Sequence, residues 1–129
     1  MEKVHILPTT KTPEILLDPS GHIKIKGRAI DESRSGVPEQ MMNWIDRYLL
    51  SPADSTEVII ALEFLNSFNT LIMTSILKKI GELLKHRKKL VIRWYYEEDD
   101  VDIYDRGEYI STVIDVPIEF ITTDDVAEC

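Results

Sequence analysis

The sequence predicts an α/β fold built on a mixed β-sheet, and three observations carry that prediction. Two runs rich in β-branched and aromatic residues, 57–65 and 90–96, are too continuously apolar for half-exposed strands. Around them, apolar residues recur at three- and four-residue spacings, the mark of amphipathic helices. Near the start, Asp18-Pro19-Ser20-Gly21 is a turn that folds two short extended segments into a hairpin. Strands separated by helices pair in parallel through right-handed crossovers. The opening hairpin is antiparallel, so the sheet is mixed, with about three helices.

Each element has its own local reason. Residues 4–7 are a short apolar start, and Pro8 and Pro13 exclude a helix and suit an extended crossing segment. Residues 14–17 read as a strand. His22-Ile23-Lys24-Ile25-Lys26 alternates polar and apolar, as a half-buried strand does, and Gly27 ends the hairpin. The polar stretch 28–36 reads as a loop. Pro38 suits the first turn of a helix, with Ser35 as its cap and Glu39 near its positive end. Val37, Met41, Trp44, Ile45, Tyr48 and Leu49 form one apolar face running to about Leu50, and residues 51–55 stop it.

Residues 57–65 read as a central strand buried on both faces, and Asn66-Ser67-Phe68-Asn69-Thr70 as the break after it. Met73, Ile76, Leu77, Ile80, Leu83 and Leu84 make the next helical stripe. That helix ends in the basic run 86–88, which suits a negative C-terminal dipole. Residues 90–96 are the second strong strand and 97–100 an acidic loop. A shorter helix is expected over about 101–114, with Ile103, Tyr104, Tyr109, Ile110 and Val113 inward, although Gly107 weakens it. Residues 117–121 read as a last edge strand, and 122–129 as a flexible acidic tail. No repeat or long linker divides the chain, so 1–129 is expected to be one domain.

A chain of 129 residues, 43% hydrophobic and 29% charged, can bury a core without disulfides or metals. Its net charge of -8 disfavours nucleic acid and anionic membrane surfaces, both of which select a Lys/Arg surplus. Cys129 is the single cysteine, the start lacks the apolar run of a signal peptide, and no stretch approaches the length of a membrane span. Cytoplasm is the expected location.

The usual signatures of catalysis are missing. There is no Gly-x-Ser-x-Gly elbow and no glycine-rich phosphate loop, and the three histidines stand at unrelated spacings. No cofactor is expected. The acidic run 97–102 could hold a hard divalent cation and serve a metal-dependent enzyme, or be a solvated loop leading into a helix. The basic run 85–89 is read as a helix terminus, and Trp94-Tyr95-Tyr96 as core or partner contact before base stacking. The junction Asn66-Ser67-Phe68-Asn69-Thr70 is more informative. In parallel α/β sheets ligands and partners meet the carboxyl ends of strands, and a hydroxyl here lies near free N–H groups at a positive helix end. Plain helix capping by Asn, Ser or Thr explains the same residues.

Leu62-Glu63-Phe64-Leu65-Asn66-Ser67, then a helix, then Arg93-Trp94-Tyr95-Tyr96-Glu97-Glu98-Asp99-Asp100, resembles the SiaC-type regulatory phosphoproteins. Thr12-Pro13-Glu14, Ile25-Lys26-Gly27-Arg28 and the helix with Trp44-Ile45 and Tyr48-Leu49 extend the resemblance over nearly the whole chain. It implies a STAS-like fold and a non-enzymatic role in partner switching. In such pathways a Ser/Thr kinase phosphorylates the strand-helix junction and a phosphatase reverses it. The unphosphorylated form binds a target, typically a diguanylate cyclase in cyclic-di-GMP signalling and biofilm regulation. By position the family threonine corresponds to Ser67, with Thr70 the second candidate acceptor; Phe68 and Asn69 interrupt the family's run of small hydroxyl residues. The expected partner-binding residues are Leu65, Asn66, Phe68, Asn69 and Leu71. A phosphate adds about -1.5 to -2 charges, and burying it without a basic partner group costs several kcal/mol. A non-switching interaction subunit is the other alternative.

Overall fold

The two apolar periods of the sequence resolve into a sheet with helices packed on it. In chain order the elements are β1 Val4–Ile6, β2 Glu14–Asp18, β3 His22–Ala29, α1 Val37–Leu50, β4 Ser55–Leu65, α2 Ser67–Ile80, β5 Lys89–Glu97, α3 Val101–Ile114 and β6 Glu119–Thr123. Short 3-10 segments follow α2 (Gly81–His86) and β6 (Val126–Glu128). This computed structural model describes residues 1–33 and 35–129; Arg34, within the predicted loop, lies outside the described residues.

The sheet runs in strict chain order, β1-β2-β3-β4-β5-β6. β1, β2 and β3 are antiparallel neighbours, and β3 to β6 are parallel. The expected mixed sheet is present, but the opening is a three-stranded meander, because the apolar start pairs with β2. Alternate residues of the strands, among them Ile15, Ile25, Val58, Ile60, Leu62, Ile92 and Trp94, share one core with the apolar stripes of all three helices. The polar tips inside it are paired. Tyr48 Oη shares a hydrogen bond with Thr56 Oγ1 (2.7 Å), and Trp94 Nε1 donates to the Ile103 carbonyl (3.1 Å). Leaving either partner alone would cost about 1–3 kcal/mol.

Several boundaries differ from the sequence expectation for identifiable reasons. Gly27 does not end β3. Its φ of +116° and a register shift between Gly27 and Arg28 let the strand continue to Ala29. α1 starts on Gly36 without a side-chain cap; the hydroxyl of Ser35 accepts instead from the Val37 N–H (3.3 Å). The predicted break 66–70 is mostly helix, because Asn66 caps α2 and Ser67 is its first residue. α2 ends at Ile80 and tightens to 3-10 geometry at Gly81, where an added Cβ would stand 2.7 Å from Val116 Cγ2.

α3 has the predicted bounds, but Tyr109 and Val113 face solvent; the buried face is Ile103, Gly107, Ile110 and Ile114. Gly107 is a packing residue. A Cβ there would sit 2.7 Å from both Trp94 Cε2 and Phe120 Cε1. β6 begins two residues later than expected. The stretch from Thr122 onward, expected as a flexible tail, completes β6 and then turns onto β3, β4 and β5. Val126 is buried, its N–H donates to Glu97 Oε2 (3.2 Å), and Lys24 Nζ donates to the Cys129 carbonyl. Lys24 and the buried Ala61 belong to the strand positions opposite the helical core, so this segment covers part of the sheet's second face.

Gly107→Ala sets two effects against each other. Helix propensity favours Ala by about 1 kcal/mol, while forcing a methyl into a filled site costs about 1–3 kcal/mol. With contacts as short as 2.7 Å to two aromatic rings, packing wins. The urea midpoint is therefore expected to fall, and a rise would mean that Trp94 and Phe120 move aside freely.

Candidate functional site

β4 must end its ladder and start a helix within one residue, and Asn66 does both. It adopts φ -86° and ψ 175°, which turns the chain out of the strand. Its Oδ1 accepts from the Asn69 N–H (2.9 Å), the helix-capping bond, and from Asn69 Nδ2 (2.8 Å). Its Nδ2 donates to the Ile30 carbonyl (3.0 Å), and Asn69 Nδ2 donates to the Asp31 carbonyl (2.9 Å). The two asparagines thus tie the chain leaving β3 to the first turn of α2. Asn69, expected as a partner contact, is half-buried in this structural role.

The two hydroxyl candidates occupy different environments. Ser67 is exposed at the first position of α2. Thr70 is 5% exposed; its Oγ1 donates to the Asn66 carbonyl (2.7 Å) and accepts from Arg106 Nη1 (3.0 Å). Ser67, Thr70 and Leu71 of α2 line a shallow groove against Asp105, Arg106 and Tyr109 of α3. Arg106 also donates from Nε to Asp102 Oδ2 (3.1 Å). Neither Arg106 nor Tyr109 stood out in the sequence. A single arginine on a helix carries no local signal, and Tyr109 falls at a spacing that reads as inward.

Phe68 and Leu71 are exposed as the contact-patch reading requires, but Leu65 is not. It is 3% exposed and belongs to the core, whereas Phe64 is 50% exposed. The cause is a β-bulge. Gly27 pairs with Leu62 and Arg28 with Phe64, so Glu63 is an extra residue in β4. It shifts the alternation by one, turning Phe64 out and Leu65 in. Arg28 covers the exposed ring, with its guanidinium carbon 5.2 Å from the Phe64 centroid, and pairs with Glu63 (3.1 Å).

The acidic run is largely committed to bonds within the chain. Asp100 Oδ1 accepts from the Ile103 N–H (3.1 Å) and caps α3, Asp102 pairs with Arg106, and Glu97 holds the Val126 N–H. Among the described residues no group of three or more His, Cys, Asp or Glu side chains is placed to hold a metal ion. Trp94 is fully buried, and Tyr96 packs on Tyr104 with ring centroids 5.0 Å apart. Burial raises the Tyr104 phenol above its ordinary value, and Glu108 adds in the same direction. In the hairpin turn, the backbone N–H and hydroxyl of Ser20 hold the Asp18 carboxyl below its usual range. No helix among the described residues is long and apolar enough to cross a membrane.

Asn66→Ala removes a helix cap and orphans the Ile30 carbonyl, with an expected loss of about 1–3 kcal/mol in chemical denaturation. Asn66→Ser keeps a capping oxygen but not the Nδ2 donor, and sets no charge against the Ile30 carbonyl, so its loss should be smaller. Equal losses in the two variants would show that the cap bond carries little.

The model of the SiaC family regulatory phosphoprotein matches residues 6–123 of this chain. An uncharacterised protein of Pseudomonas aeruginosa is 25% identical over 109 residues, 84% of this chain and 86% of that protein. The crystal structure of apo-SiaC from Pseudomonas aeruginosa superposes with a TM-score of 0.83 at 24% identity, covering 93% of this chain and 98% of that one. SiaC in its complex with the diguanylate cyclase SiaD, whose activator it is, superposes equally well at 22% identity, over 93% and 99% of the two chains. These superpositions show a shared fold, and the family model, spanning nearly the whole sequence, shows that the chain belongs to the SiaC family of regulatory phosphoproteins.

Proposed function

We propose that this chain is a non-catalytic, cytoplasmic switch protein that binds a diguanylate cyclase, or a similar signalling enzyme, through the start of α2, and that phosphorylation of Ser67 releases it. A Ser/Thr kinase and a phosphatase are the implied regulators. The observation that carries this reading is the contrast between the two hydroxyls. Ser67 is exposed beside the exposed side chains of Phe68 and Leu71, while Thr70 is buried and twice hydrogen-bonded. A kinase can reach the first without unfolding the helix, and the second only by breaking its bonds to the Asn66 carbonyl and Arg106. Membership of a regulatory phosphoprotein family supports the same assignment, as does the complex that the related SiaC forms with SiaD.

The switch works on binding. A neutral serine hydroxyl can be covered by a partner at modest cost. A phosphate carries about -1.5 to -2 charges at neutral pH, and covering it with an apolar partner surface costs several kcal/mol. Since about 1.4 kcal/mol is tenfold in affinity, this is enough to empty the complex. The positive end of α2 bears no acidic residue in its first turn, so it tolerates the added charge without unfolding.

Pull-down from the native host tests the assignment. Ser67→Ala is expected to retain the cyclase and Ser67→Asp to lose at least about tenfold of it. Equal retention by both variants would sink the switch. Phosphosite mapping of the wild-type chain should find the modification on Ser67, and a phosphate on Thr70 would reverse the choice of acceptor.

A further inference from the structure

We propose that Arg106 is the intramolecular receiver of the Ser67 phosphoryl group, so that the phosphorylated form is a defined, closed state of the α2–α3 groove. This rests on the reading of Ser67 as the phosphoacceptor. Arg106 and Ser67 line the same groove from opposite helices, and Arg106 is the one cation among the described residues lining it. Its side chain is 26% exposed and already aimed at α2, where Nη1 bonds Thr70 Oγ1 one helical turn from Ser67.

The donor count favours the exchange. A guanidinium carries five N–H groups in a rigid fork. The bonds to Thr70 and Asp102 use two of them. Three remain, all on the Nη atoms, and two neighbouring ones are enough for the bidentate geometry in which arginine binds a phosphate. Two opposing charges are on α3, and Asp31 adds a third beside the start of α2, where its carbonyl accepts from Asn69. Asp102 competes for Nε, and Asp105 lines the groove and repels the phosphate. The residues of α2 that line the groove, Ser67, Thr70 and Leu71, carry no charge. Arg106 therefore offers a charged landing point, which the first turn of α2 lacks. Phosphorylation then does more than repel a partner: it draws the groove shut over the surface the partner would use.

The experiment installs phosphoserine at position 67 by amber suppression, so it is independent of any cellular kinase. The ³¹P resonance is followed from about pH 4 to 8, across a second phosphate pKa near 6. An arginine partner favours the dianion, so the midpoint with Arg106 in place should lie about half a unit below that of Arg106→Gln. Both proteins carry Asp102→Asn, because Arg106→Gln would otherwise unpair that carboxylate, and Asp105 acts in both, so the difference isolates Arg106. Equal midpoints overturn the proposal. Should Arg106→Gln fold poorly, the Arg106 Nη–H signal of the wild-type phosphoprotein decides, since Nε–H is held by Asp102. It should titrate with the phosphate, and one that stays still overturns the assignment. Phosphosite mapping in the native host tests the choice of Ser67 separately, so the two ideas fail by different results.

Discussion

The paired amides of Asn66 and Asn69 are the constraint on which the candidate site depends. A central parallel strand cannot stop gradually, because its neighbours hold it on both sides and its successor helix must pack on the same core. Asn66 satisfies the exposed N–H of the first helical turn and at once donates to the chain leaving β3. Asn69 repeats that second bond one residue further along. The helix start is thereby pinned to the β3 exit. Ser67 follows from this geometry, held at the helix's first position with its hydroxyl in solvent, while Thr70 is drawn beneath.

The bulge at Glu63 sets the chemistry of the surroundings. Strict alternation would carry Ile60, Leu62 and Phe64 inward and leave Leu65 outside. One extra residue reverses the last two, delivering an aromatic ring to the surface and an aliphatic side chain to the core. The same irregularity lies beside Gly27, whose positive φ a residue with a Cβ would rarely adopt. An exposed Phe64 beside Arg28 and Glu63 thus comes from a backbone feature shared by two strands.

Both faces of the sheet have occupants, and the occupants differ in kind. Three helices cover one face through long-range apolar packing. The other is partly covered by the last residues of the chain, held by Val126, by Glu97 and by the Lys24–Cys129 contact. An acidic stretch such as Thr122 onward looks like a solvated tail. One buried valine and the backbone bonds around it are enough to change that, because they draw on partners in β3, β4 and β5.

The sequence by itself determined the class of the fold, the parallel core of the sheet, the hairpin, the three helices and the junction at Asn66. Each of these rests on periodicity or turn chemistry acting within about fifteen residues, which a linear pattern records. Tertiary structure decided what depends on contacts between distant segments. A bulge made jointly by β3 and β4 put Phe64 outside and Leu65 inside. Trp94 and Phe120 made Gly107 a packing requirement where the sequence showed a weak helix former. The separation of Ser67 from Thr70 needed α3, since a residue thirty-six positions away, Arg106, occupies the hydroxyl of one and faces the groove of the other.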